Sequence, residues 1–196
     1  MVEETASERE TELVCRKARL TDIAELLALI NRFAARGIML PRTEFELAEN
    51  IRDFMVIVSR SGLVACGALH FYTAQAAEIR SLAVDSRFQK HGLGRRLVQA
   101  LEQEAESYGL AGLFAFTYVP DFFRKLGYHE VDRGELPLKA WKDCLRCPKF
   151  QACDEIAMWK TLGQQAGETA RLTRGTERPA GSTQQTNPVP LLPILR

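Results

Sequence analysis

Gln89-x-x-Gly92-x-Gly94 is the spacing in this chain that most directly implies a ligand. Two glycines in a short loop let the backbone come close to an anion. Amides at a helix start then point at that anion, with the positive end of the helix dipole behind them. Lys90, Arg95 and Arg96 add positive charge, with His91 a polar member of the same loop. A pyrophosphate is the guest that such a loop suits; the alternative is an ordinary helix-capping loop. The dinucleotide fingerprint is excluded, because the residue three after Gly94 is Leu97 rather than glycine or alanine. A Walker A loop is excluded too, since no Gly-Lys-Ser/Thr closes the motif.

A loop of this kind needs a strand before it and a helix after it. Ile79 to Val84 is short and largely apolar, as a buried strand should be, while Leu93, Leu97, Leu101, Ala105 and Tyr108 recur at helical spacing. Upstream, Leu13 to Ala18 reads as a first strand. A helix capped by Thr21 or Asp22 then carries Ile23, Leu26, Leu27, Ile30 and Ala34 at a period of about 3.6 and stops at Gly37. A second helix covers Thr43 to Arg52, with Thr43 and Glu46 spaced as a capping box. Phe54 to Ser59 and Leu63 to Thr73 read as strands joined at Arg60-Ser61-Gly62. Downstream come a strand from Gly112 to Tyr118, a short helix started by Pro120 and closed by Gly127, and strands at Tyr128 to Val131 and Glu155 to Lys160. By strand alternation Glu78 shares a face with Arg80, Leu82 and Val84 unless a bulge intervenes. His70 is half-buried strand surface.

Leu82-Ala83-Val84-Asp85 followed by Gln89-x-x-Gly92-x-Gly94 resembles the GNAT superfamily of acetyl-CoA-dependent N-acetyltransferases. Phe122-Phe123-Arg124-Lys125-Leu126-Gly127-Tyr128 is similar to the last motif of that family, and the element order is the family's over about Leu13 to Leu162. The resemblance implies an α/β (α+β) GNAT fold with helices on both faces of a mixed central sheet, splayed at an acetyl-CoA slot. It also implies pantetheine along Leu82, Ala83 and Val84. The pyrophosphate would lie on the backbone of Gln89, Lys90, His91, Gly92, Leu93, Gly94 and Arg95. Glu78, six residues before Val84, stands where histone-type members carry a general base. Its other reading is a carboxylate paired with Arg80. Phe123 occupies the place of the tyrosine that normally protonates the leaving thiolate, so Tyr118 or solvent must substitute. A thiol of pKa about 8.5 is a tolerable leaving group, and a strand amide near Leu82 can meet the oxyanion.

Gly37-x-x-Leu40-Pro41-Arg42, the 76–84 segment, Thr117-Tyr118-Val119-Pro120-x-Phe122-Phe123 and Lys139-x-Trp141-x-Asp143-Cys144 together look like the short bacterial N-acetylglutamate synthases. The activity so implied is acetylation of L-glutamate, the first step of arginine synthesis. A substrate with two carboxylates needs two cationic anchors, and arginine binds each in a bidentate fork. Arg42 and Arg80 are the candidates; the alternatives are a solvated loop residue and a structural pair with Glu78. Another small amine, a protein N-terminus, or a CoA-binding sensing module without turnover are the competing functions.

Cys144-x-x-Cys147-Pro148 with Cys153 has spacing that suits zinc or an iron–sulfur centre. Cys66, His129, Asp143 or Asp154 could complete the set. A redox-sensitive pair, small packing residues and coincidence are the other readings. The 196 residues, 46% hydrophobic, suit one sizeable core, and a net charge of +1 gives no reason to expect nucleic acid or an anionic membrane as partner. No apolar run reaches the roughly 18 residues of a membrane span, and the start carries no export signal, so a cytoplasmic protein with reduced thiols is expected, as a possible homodimer. Residues 1–12 are expected to be flexible. Residues 163–196 are expected to form a disordered tail around one apolar stretch at 189–195, either a docking peptide or low complexity.

Overall fold

A computed structural model describes residues 13–136, 145 and 147–163. The expected flexible start, the expected tail apart from Gly163, and Cys144 lie outside the described residues.

β-Branched and small apolar residues build the centre of the sheet. β1 (Val14–Lys17), β2 (Phe54–Ser59), β3 (Gly62–Phe71) and β4 (Ala76–Val84) pair antiparallel in sequence order. β5 (Gly112–Thr117) then joins β4 in parallel, and β7 (Ile156–Thr161) lies between β5 and the short β6 (His129–Glu130), giving the order β1-β2-β3-β4-β5-β7-β6. This is an open mixed sheet. The predicted strand limits hold to within one to three residues.

α1 (Ile23–Ala34) and α2 (Glu44–Glu49) cover one face. α1 buries Leu26, Leu29 and Ile30 on Val56, Cys66, Ala68 and Ala83, and Gly37 beyond its end takes a φ of +69°. Asp22 does not cap α1 by its side chain; it binds Arg16 and the Arg19 amide instead. α2 starts at Thr43, whose hydroxyl accepts from the Glu46 amide while the Glu46 carboxylate accepts from the Thr43 amide, the predicted capping box. It ends at Glu49 and continues as a 3-10 turn, Ile51–Asp53.

The other face carries α3 (Leu93–Ser107), with Leu93, Leu97, Val98, Leu101 and Ala105 buried. Tyr108 was expected on that stripe but falls just past the helix end, exposed, edge-on to Phe71. The short α4 (Pro120–Arg124) adds Phe123 to the same core as Val98 and Leu101. Each fully buried Leu, Ile or Phe contributes roughly 1.5–3 kcal/mol. None of the helices among the described residues is long and apolar enough to cross a membrane.

Candidate active site

β4 and β5 part company in the middle of the sheet. Their ladder has three rungs, Ala76 to Gly112, Ala77 to Leu113 and Glu78 to Phe114; past Glu78 the ladder to β5 ends, while β5 pairs onward with β7. The gap opens into a cavity of about 1360 Å³ whose lining includes Glu78 to Val84, Phe116 to Val119 and the α1–α2 loop.

A bulge marks the point of divergence. The β3–β4 register slips between Cys66 and Ala68, and Ser81 takes a φ of +52°, in the left-handed region that costs a non-glycine residue about 1 kcal/mol or more. Hence Glu78 and Arg80, opposite His70 and Ala68, face α1, whereas Leu82 and Val84 pack with Leu93 and Leu97 beneath α3. The expected shared face of all four residues is therefore wrong, and the bulge is the reason. Cys66 sits inside it, fully buried, and its thiol donates to the Ser81 carbonyl at 3.5 Å. Burial pushes the thiol up to about 12, so it is neutral, and its place in the core removes Cys66 from the metal-ligand candidates. With the Ser81 carbonyl turned toward β3, the Leu82 N–H of the same planar peptide points the other way, to the open edge of β4.

Beyond β4 the chain turns through Asp85 and a 3-10 turn, Ser86–Phe88, into the glycine loop. Lys90 at φ +66° and Gly92 at φ +78° are both left-handed, the backbone pattern that turns successive amides into one concavity. Gly92 is needed for its conformation. Gly94 has no such constraint, since a Cβ there would meet the Phe122 ring at an ordinary contact distance of 3.4 Å. Asp85, almost wholly buried, accepts from Arg87 and Arg32, which hold its carboxyl well below the usual carboxylate range and tie the loop to α1. Leu82, Ala83, Val84, Gln89 and Lys90 line the cavity; His91, Gly92, Leu93, Gly94 and Arg95 continue from its rim. The Leu93 side chain is buried beside Leu97, so only its backbone is available to a ligand.

At the inner end, Glu78 is 8% exposed and accepts from the Tyr72 hydroxyl at 3.0 Å. Arg80 Nη2 lies 2.9 Å from His70 Nδ1 and 3.8 Å from Asp53 Oδ2, and the same His70 nitrogen is 2.6 Å from Asp53 Oδ2. That nitrogen serves one neighbour at a time: as N–H it donates to Asp53, and as a lone pair it accepts from Arg80. Arg42 lines the cavity from the α1–α2 loop. The structure thus brings Glu78, Arg80 and Arg42 to one cavity, as the sequence predicts.

Tyr118 and the 147–155 segment form the remaining wall. Burial raises the Tyr118 phenol above its ordinary value, with Lys149, which donates to it at 3.1 Å, pulling the other way. Phe123 is buried edge-on to Phe122 and Tyr128 and holds no proton to give. Cys147 and Cys153 line the cavity as free thiols, and Cys153 donates to Glu155 Oε2 at 3.8 Å. Among the described residues no group of three His, Cys, Asp or Glu side chains could hold a metal. Sequence reading missed Tyr72, Asp53, Asn31 and the structural use of Cys66. Of these only Tyr72 had a signal: a hairpin between β3 and β4 sets it diagonal to Glu78.

Residues 21–128 match the sequence model of the Acetyltransferase (GNAT) family. An uncharacterized N-acetyltransferase of Chlorobaculum tepidum is 43% identical over 147 residues, 75% of this chain and 95% of that protein. The amino-acid acetyltransferase of Mycobacterium tuberculosis is 31% identical over 145 residues, 72% of this chain and 83% of the other. N-acetylglutamate synthase from Neisseria gonorrhoeae, complexed with coenzyme A and N-acetyl-glutamate, superposes with a TM-score of 0.72 at 27% identity, over 79% of this chain and 36% of that longer one.

Proposed function

The chain belongs to the acetyltransferase (GNAT) family and is an N-acetyltransferase; from that premise we propose that it transfers the acetyl group of acetyl-CoA to the α-amino group of L-glutamate. The observation that carries this reading is that Arg42, Arg80 and Glu78 all line the one cavity at the β4–β5 gap. Two guanidinium groups match two carboxylates, and the carboxylate of Glu78 serves the amine between them. The relatives named amino-acid acetyltransferase and the Neisseria synthase complexed with coenzyme A and N-acetyl-glutamate support it.

In this reading acetyl-CoA lies between β4 and β5, with pantetheine on the free edge at Leu82 to Val84 and pyrophosphate on the amides of Gln89 to Arg95. Glu78, directly or through water, takes a proton from the substrate ammonium, and the freed amine attacks the thioester carbonyl. The Leu82 N–H meets the oxyanion that forms. Collapse breaks the C–S bond and releases the CoA thiolate. Tyr118, a phenol that is protonated across the neutral range, supplies that thiolate with a proton, and solvent restores its own.

The test is CoA thiol release with L-glutamate, D-glutamate, L-glutamine, L-aspartate, polyamines and a short peptide. Turnover with L-glutamate, weaker with glutamine, is expected. Turnover confined to polyamines or the peptide would overturn the glutamate reading.

A further inference from the structure

The α1–α2 loop, 35–43, has no strand partner among the described residues, yet Arg42 within it is held at two points. Asn31, half-buried on α1, accepts from the Arg42 amide at Oδ1 and donates to the Arg42 carbonyl from Nδ2, both at 2.9 Å. One carboxamide therefore satisfies both backbone groups of a single residue, as a neighbouring strand would. The next residue, Thr43, opens the capping box of α2. The Arg42 backbone is thus fixed between α1 and α2, and the residue lines the cavity.

We propose that Asn31 is a positioning residue for the acceptor: by clamping the Arg42 backbone it presets the guanidinium that grips a substrate carboxylate. The inference rests on the reading of Arg42 as a carboxylate anchor. Its physical basis is preorganisation. A long side chain on a loop with a free backbone must be ordered when substrate arrives, and that cost is subtracted from binding. With the backbone clamped, only the side-chain torsions remain to be fixed. A helix-forming reason for asparagine at this position is lacking, because alanine and leucine both favour a helix more.

The experiment compares Asn31→Ala, Asn31→Leu, Arg42→Ala and the Asn31→Leu/Arg42→Ala double variant in steady-state kinetics with L-glutamate and acetyl-CoA, alongside amide hydrogen exchange at Arg42. Both Asn31 variants are expected to raise KM for glutamate roughly ten- to a hundredfold, with kcat and KM for acetyl-CoA little changed. Arg42→Ala should raise it at least as far, the double variant should add nothing to Arg42→Ala, and the Arg42 amide should lose its protection in Asn31→Leu. A packing role would instead spare Asn31→Leu and impair Asn31→Ala, which overturns the proposal. So does an additive double variant, a parallel rise in KM for acetyl-CoA, or an Arg42 amide equally protected in wild type and variant. If Arg42→Ala raises KM and neither Asn31 variant does, the clamp fails while the anchor stands; if Arg42→Ala leaves KM unchanged, anchor and clamp fail together.

Discussion

The Tyr72 hydroxyl donates to Glu78 Oε2 at 3.0 Å across the turn that joins β3 to β4. A hydrogen bond to the ionised form of a carboxylate favours that form. If Glu78 is the general base, Tyr72→Phe removes a bond that keeps it ionised, so its pKa rises and the acid limb of kcat/KM moves to higher pH. Glu78→Gln should cost about 10²- to 10⁴-fold in rate and abolish that limb. A pH–rate profile recorded for both variants checks this, and limbs that coincide with the wild type would exclude Glu78 as base.

Arg80 is held near His70 and Asp53, with a side chain only 12% exposed, so its truncation removes a charge from a largely desolvated site. Arg80→Ala should weaken glutamate by about 2–3 kcal/mol, roughly 30- to 150-fold in KM. Asp53→Asn should act in the same direction and more weakly, since it loosens the guanidinium without deleting it. Initial rates at saturating acetyl-CoA measure both; a KM for glutamate unmoved by Arg80→Ala would remove this residue from the acceptor site.

Local signals made much of this molecule legible. The period of Leu26 and Ile30 and the Thr43/Glu46 box fix α1 and the start of α2 within a few residues of chain, and the glycine loop announces the strand and helix around it. The bulge at Ser81 was not legible as such. It depends on Cys66 across the ladder, and nothing near Ser81 in sequence records that partner. Asn31 looks like any polar residue on an amphipathic helix, because its two partners lie eleven positions away. Tyr108 continues the apolar rhythm of α3 but falls at its C-cap, just before the left-handed Gly109, where the helix has ended.

The two glycines of the loop should respond differently. Alanine at Gly92 must adopt φ +78°, a cost of about 1–2 kcal/mol, and relaxation of the loop would disturb the amide concavity. Alanine at Gly94 meets Phe122 at an ordinary contact distance of 3.4 Å and improves helix propensity. Gly92→Ala is therefore expected to lower Tm and raise KM for acetyl-CoA, with Gly94→Ala neutral or stabilising. Calorimetry and acetyl-CoA titration of the pair decide it; equal effects at both positions would contradict the distinction.

Asp85 contributes a pH-dependent part of stability. Arg87 and Arg32 hold its pKa below the unfolded value of about 3.9, so the contribution is complete above that value and is lost as pH falls toward the lower, folded-state pKa. Asp85→Asn should cost about 2 kcal/mol near neutral pH, and the gap between variant and wild type should narrow as pH drops below about 4. Urea unfolding across this range reads the difference directly. A gap that stays constant from pH 7 to pH 3 would show that the loss is one of shape, not charge.

The Cys66 thiol donates to the Ser81 carbonyl inside the bulge, and by peptide planarity that carbonyl sets the direction of the Leu82 amide. Cys66→Ala removes the bond to the Ser81 carbonyl in the core and frees Ser81 to relax from φ +52°. If the Leu82 N–H stabilises the oxyanion and Arg42 and Arg80 hold the acceptor, relaxation costs kcat while KM for glutamate changes little. Cys66→Ser, which can still donate to the Ser81 carbonyl, should recover most of the lost kcat even though its shorter C–O bond packs less well. The serine variant separates geometry from packing: kcat that follows Tm through both substitutions would mean that the bulge merely supports the fold, whereas kcat restored by serine at a still-lowered Tm ties the bulge to the oxyanion.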